Sequence, residues 1–184
     1  MKVYVNVKDS RWKKYKIDFE KIVNAAVTGA YKDSEVSITL VNNREIRKIN
    51  KKYRGIDKAT NVLSFELGDD ILLGDIYISL DTVKREAADA GISVEDHVVH
   101  MVVHGMFHLL GYDHLTDAEA EIMEGKEISV LKKLGIKKPE LIIPLSAHAA
   151  FQKACKMFNI KCIKIPLNQK TYQMDLNLVK KNNR

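Results

Sequence analysis

The sequence predicts an α+β protein, a small mixed β-sheet covered by helices. Alternating apolar and polar residues concentrate in the first 80 positions, helical periodicity dominates from 81 to 135, and capping or turn residues bound most segments. With 184 residues, 46% hydrophobic and 29% charged, the chain can bury one sizeable core and carry an appendage.

The elements follow in order. "VYVNV" (3–7) and "EVSITLV" (35–41) alternate like half-buried strands. Between them "IDFEKIVNAAVTGAY" (17–31) has helical spacing, with Asp18 as N-cap. Asn43 is placed to cap a charged helix over 44–53, which Gly55 ends; "ATNVLSFEL" (59–67) and "GDIYISL" (74–80) read as two more strands. Asp81 would cap "TVKREAADAG", and Ser93 would cap the long "VEDHVVHMVVHGMFHLLG". Thr116 with Glu119 forms a capping box for a helix closing at Gly135.

Charge is uneven. Residues 1–58 hold 15 Lys/Arg against 7 Asp/Glu, residues 59–138 hold 7 against 15, and residues 139–184 hold 8 against 2, for a net +6. The basic ends, including "KKYRGIDK" (51–58) with Arg54 and Lys58, can attract a polyanion such as RNA, although such residues also make an ordinary solvated face. No apolar run approaches the roughly 20 residues of a membrane span, and the N-terminus enters a strand pattern directly. Cys155 and Cys162 are the only cysteines and lack metal-site spacing. A cytoplasmic, unexported protein is expected, with no membrane partner.

The chemistry concentrates in "HGMFHLLGYDH" (104–114). Side chains four apart on a helix differ by roughly 40° in direction and 6 Å in height, so His104 and His108 can share an ion. Gly111 suits the left-handed residue at a helix end, and the reversed chain can return His114 to the same point. Three imidazoles with a fourth position open describe a catalytic zinc, one ion per chain. His97 and His100 lie one or two turns earlier and read as supporting or packing residues. Asp113 can orient a ligand, be one, or cap a turn.

The spacing is that of H-E-x-x-H-x-x-G-x-x-H zinc proteases, but Gly105 replaces the glutamate. Peptide hydrolysis needs that carboxylate to move a proton to the leaving amine. Phosphodiester cleavage has a better leaving group, and zinc brings the pKa of a bound water towards about 7 without a neighbouring base. An arginine such as Arg54 can hold the phosphate by its planar fork, or equally make a surface ion pair near Asp57. Ser64 and Asp75 can support the site by hydrogen bonds, and each reads equally as a strand-end or turn residue.

"HMVVHGMFHLLGYDH" (100–114), "YRGIDKATNVLSF" (53–65) and "LGDIYIS" (73–79) together closely resemble the YbeY family of bacterial endoribonucleases, over roughly residues 1–138. The resemblance implies a single α+β metal-dependent endoribonuclease domain over 1–138, acting in ribosomal RNA maturation and ribosome quality control. It implies His104, His108 and His114 as zinc ligands and Arg54 as the essential arginine. RNA, ribosomal RNA and ribosomal subunits, rather than DNA, would be the partners, with Arg54 and Lys58 binding substrate and Arg54 and His114 serving catalysis. The sequence leaves the nucleophile open between zinc hydroxide and the ribose 2′-hydroxyl. Two other functions fit the same motifs: a zinc metalloprotease of unconventional mechanism, and a non-catalytic, metal-stabilised ribosome assembly factor.

Composition changes near residue 138, and residues 139–184 form an appended segment, read as helix (147–158), strand (160–165) and short helix (175–181). "LSAHAAFQKACKMFNIKCIKIPL" resembles an internal piece of pyridoxal-phosphate-dependent decarboxylases and lyases, most closely the sphingosine-phosphate lyase group, with His148 matching the histidine that stacks on the cofactor ring. The segment lacks that family's Schiff-base lysine motif and an identifiable acid for the pyridine nitrogen, and so implies a remnant without lyase activity.

Overall fold

The computed structural model describes all residues except 28, 70, 137–139, 158–159, 170 and 183–184. It divides into two compact units, Met1–Ile136 and Lys137–Arg184. Positions 28 and 158, inside predicted helices, and the boundary at 138 lie outside the described residues.

The first unit runs β1 (Lys2–Val7), α1 (Phe19–Ala26), β2 (Glu35–Val41), α2 (Asn43–Arg54), β3 (Val62–Glu66), β4 (Leu72–Ser79), α3 (Leu80–Ala90), α4 (Val94–Leu109) and α5 (Asp117–Lys133). The sheet order is β1-β2-β4-β3, with β1, β2 and β4 parallel and β3 antiparallel at one edge. This is the mixed α+β sheet that the sequence predicts. At the opposite edge β1 is mostly exposed rather than half-buried, because only one side of it is paired.

The two sheet faces carry different cores. Val36, Ile38, Leu40, Ile76 and Ile78 pack into the main core with α1 and α4, while Val41 and Leu63 join Ile46 of α2 on the other face. Each such fully buried aliphatic side chain contributes about 1.5–3 kcal/mol of transfer free energy. Helix α4 is apolar around much of its circumference because α1, α3, α5, β3 and β4 all pack on it.

Local differences from the sequence reading concern caps. Asp18 caps α1 as expected, but that helix ends at Ala26, and Gly29 at φ 72° enters a 3-10 turn (Gly29–Asp33). Asn42, not Asn43, caps α2 by accepting the Glu45 N–H at 3.0 Å. Asn43 sits in the first turn, where its side-chain oxygen accepts the hydroxyls of Ser79 and Thr82, both at 2.7 Å. Nor does Asp81 cap α3: that helix begins at Leu80, and the Asp81 carboxylate accepts the Asn43 N–H at 2.9 Å and pairs with Arg11 at 2.8 Å. Polar residues that look like caps for their own helices here tie the starts of α2 and α3 together. Ser93 and the Thr116–Glu119 capping box match the reading.

Gly74 fixes how α4 sits on the sheet. A Cβ there would lie 2.1 Å from the Phe65 carbonyl oxygen and 2.9 Å from Leu109 Cδ2, so only glycine lets β3, β4 and the end of α4 close together.

In the second unit β5 (Glu140–Pro144) pairs in parallel with β6 (Lys161–Ile165), joined through α6 (Ala149–Met157); α7 (Leu176–Asn182) follows. The sequence pattern does not predict β5, since "ELIIP" neither alternates nor has a local pairing partner. His148 is exposed, and its Nδ1 accepts the Ala150 backbone N–H at 3.1 Å, at the start of α6.

Candidate metal centre

Helix α4 ends in a Schellman arrangement. Gly111, at φ 81°, donates its N–H to the His108 carbonyl at 2.9 Å, and Tyr112 donates to the Phe107 carbonyl at 3.0 Å. The Phe107 and Tyr112 rings pack edge-on, with centroids 5.6 Å apart, closing the motif. This reversal returns His114 to the helix. Ring centroids are 4.6 Å apart for His104 and His108, 5.5 Å for His104 and His114, and 5.1 Å for His108 and His114.

One nitrogen from each ring lies within 4.8 Å of the others, so the group could hold a metal ion. The Nε2 atoms of His104 and His108 face each other at 3.1 Å, close to the roughly 3.3 Å separating two nitrogens on a tetrahedral zinc. His104 and His108 are half-buried and His114 is exposed, which leaves one side open to solvent. Burial, followed by the neighbouring His104 and His114, depresses the His108 pKa to about 4, so His108 is the neutral imidazole that coordination requires.

Glu127 of α5 belongs to the site although its sequence context does not predict it. It is only 4% exposed. Its Oε1 lies 2.8 Å from His104 Nδ1 and its Oε2 lies 3.1 Å from His100 Nε2. Burial works to raise its carboxyl, but the hydrogen bonds from His100 and His104 outweigh that and hold the pKa at about 2. An ionised carboxylate can only accept, so His104 donates from Nδ1 and keeps Nε2 free for an ion. The sole hint in the sequence is a glutamate on the buried stripe of α5, with Met123, Val130 and Leu131.

His97 plays no part in the three-histidine group; its Nε2 lies 2.9 Å from Glu86 Oε2, which also accepts the Asn61 side-chain amide at 3.0 Å. Asp113 accepts the backbone N–H of His114 at 2.7 Å, the turn-stabilising arrangement among those open to it. A Cβ on Gly105 would meet Ser64 Oγ at 2.9 Å and two Ile76 carbons at 3.1 Å. The position occupied by glutamate in zinc proteases therefore faces the sheet and has no room for a side chain. Asp75 neighbours Ile76 in β4 and lies on the opposite face, away from the histidines.

Arg54 is the last residue of α2, which ends in left-handed Gly55 at φ 73°. It is exposed, and its side chain has no hydrogen-bond or ion-pair partner among the described residues. The surface pair expected near Asp57 is made instead by Arg47 at 2.7 Å and Lys51 at 3.1 Å. Lys58 lines a shallow cleft along α2 with Arg44, Arg47, Lys48 and Lys51, separate from the histidine group. Among the described residues, no helix is long and apolar enough to cross a membrane.

The Endoribonuclease YbeY family model matches residues 4–135. An Endoribonuclease YbeY of Methylocella silvestris is 50% identical over 111 residues, which is 58% of this chain and 63% of that protein. Those of Alteromonas mediterranea and Laribacter hongkongensis are 50% and 43% identical, covering 58% and 66% of this chain and 71% and 78% of theirs. The matches thus span only part of these relatives, from 63%, less than two thirds, to 78% of their length. A solution structure of a Thermotoga maritima protein superposes with a TM-score of 0.52 at 27% identity, covering 72% of this chain and 88% of that one.

Proposed function

The chain belongs to the YbeY endoribonuclease family, and from that premise we propose that it is a zinc-dependent endoribonuclease cutting single-stranded RNA. The observation that carries this reading is the convergence of His104, His108 and His114, with buried Glu127 fixing the first of them. Ribosomal RNA of the small subunit, met in the cytoplasm during maturation and quality control of ribosomal subunits, is the proposed substrate.

A bound zinc ion supplies Lewis acidity to a phosphate oxygen and makes water more acidic. The protein's own groups do the rest. Glu127 keeps His104 in one tautomer and one orientation. His114, exposed and beyond the helix end, closes the ligand set from the substrate side. Arg54, without an ion-pair partner of its own, offers two parallel N–H donors to the non-bridging phosphate oxygens, and Lys58 adds charge along the backbone.

The packing at Gly105 disfavours the metalloprotease alternative, since a general base there would collide with Ser64 and Ile76. The assembly-factor alternative predicts RNA binding without cleavage. The test is to incubate protein with single-stranded RNA and with casein, before and after chelation, and then with zinc restored. RNA cleavage that disappears and returns with zinc supports the proposal; casein cleavage or zinc-independent RNA cleavage would refute it. Segment 139–184 is proposed to carry no lyase activity.

A further inference from the structure

On the face of the sheet away from the histidines, Tyr4, Ser37, Asp75 and Phe65 form one row across all four strands by their register. Helix α2 covers this face only in part. Its Tyr53 ring lies over Phe65, with centroids 5.1 Å apart, and Phe65 in turn meets Tyr77 at 6.0 Å. Phe65 and Tyr77 are backed by the small core around Leu63. Tyr53 is not: it is 61% exposed, so core packing does not account for an aromatic residue there.

The charge around this ring favours a nucleic acid. Lys52 Nζ sits 4.8 Å from the Tyr53 ring centroid. Residues 43–59 carry 7 Lys/Arg against 2 Asp/Glu, and both acids are already paired, Glu45 with Lys48 and Asp57 with Arg47 and Lys51. Lys52, Arg54 and Lys58 have no ion-pair partner among the described residues. The one carboxylate in the row, Asp75, can accept a hydrogen bond from the amino group of a base.

A contact path links this surface to the metal centre. Tyr53 packs on Phe65, whose carbonyl abuts Gly74, and Gly74 abuts Leu109, the residue after His108. The ring and the end of α4 that carries the histidines therefore meet edge strand β3 at the same end, on its two sides. We propose that Tyr53, supported by Phe65, is a stacking site for an unpaired base of the RNA, with Lys52 and Arg54 taking adjacent phosphates as the strand rounds β3. Aromatic rings flanked by unpaired cations are how proteins hold single strands, and paired bases in a duplex cannot reach such a ring. This supplies the single-strand preference. It rests on the endoribonuclease reading given above.

The test uses full-length, zinc-loaded protein and a single-stranded oligoribonucleotide carrying 2-aminopurine, with binding followed by anisotropy and by fluorescence quenching before appreciable cleavage. Tyr53→Ala should weaken binding between about 5-fold and 150-fold, the range for one base–aromatic stack, and lose the quenching. Tyr53→Trp should keep both. Zinc content and affinity for heparin, a polyanion without bases, should be unchanged in Tyr53→Ala. Wild-type RNA affinity in Tyr53→Ala, or an equal loss towards heparin, would overturn the stacking site while leaving the nuclease reading intact. If the wild-type protein neither binds nor cuts RNA, both fall together.

Discussion

Replacing Glu127 tests whether the carboxylate behind His104 builds the metal centre or only fills space. In Glu127→Ala the His104 Nδ1 and His100 Nε2 hydrogens lose acceptors at 2.8 and 3.1 Å in an environment nearly closed to water. Each orphaned buried donor costs about 1–3 kcal/mol, so the fold should lose about 2–6 kcal/mol before the cavity is counted. His104 also loses the group that fixes its tautomer, and loss of such a partner lowers metal affinity by about 10- to 100-fold. Glu127→Gln keeps one acceptor. Its amide oxygen can still hold His104 while its NH2 faces His100, so its zinc affinity should fall between wild type and Glu127→Ala. The assay is competition for zinc against a chromophoric chelator, with circular dichroism to establish that each variant is folded. Wild-type zinc affinity in a folded Ala variant would refute the reasoning.

Three further outcomes follow from the same geometry. Gly105→Glu restores the protease spacing but drives a side chain into Ser64 Oγ and Ile76; it should lower stability by at least about 1–3 kcal/mol in thermal unfolding and gain no casein cleavage, and a stable, proteolytic variant would contradict the packing argument. Arg54→Lys keeps the charge and loses the fork, so turnover on RNA should drop by about 100-fold at unchanged zinc content; undiminished turnover would show Arg54 to be surface charge only. A chain ending at residue 138 should fold, bind zinc and match full-length turnover, with weaker RNA binding at low salt because the +6 of residues 139–184 is gone; an unfolded product would make the segment part of the core.

The three-histidine group was legible because its geometry is local. A four-residue helical step, a glycine reversal and a third histidine all fall within 11 positions, so helix geometry pairs the first two and the reversal allows the third to join them. Glu127 was not legible, since its distance of 23 residues from His104 is bridged only by the packing of α5 on α4. The strand and helix order is readable from alternation and periodicity, whereas Asn43 and Asp81 look like caps in sequence but serve partners about 40 residues away. The role of Gly105 in packing depends on Ser64 and Ile76 across the sheet, which no spacing along the chain reports.

The central claim is that one zinc ion held by His104, His108 and His114 is what cuts RNA. Its most direct test measures zinc by elemental analysis and RNA cleavage side by side in wild type and His108→Ala. The wild type should hold one zinc per chain and cleave, and the variant, folded but with only two imidazoles left, should lose both together. Full zinc occupancy in His108→Ala, or RNA cleavage by a zinc-free variant, would contradict it.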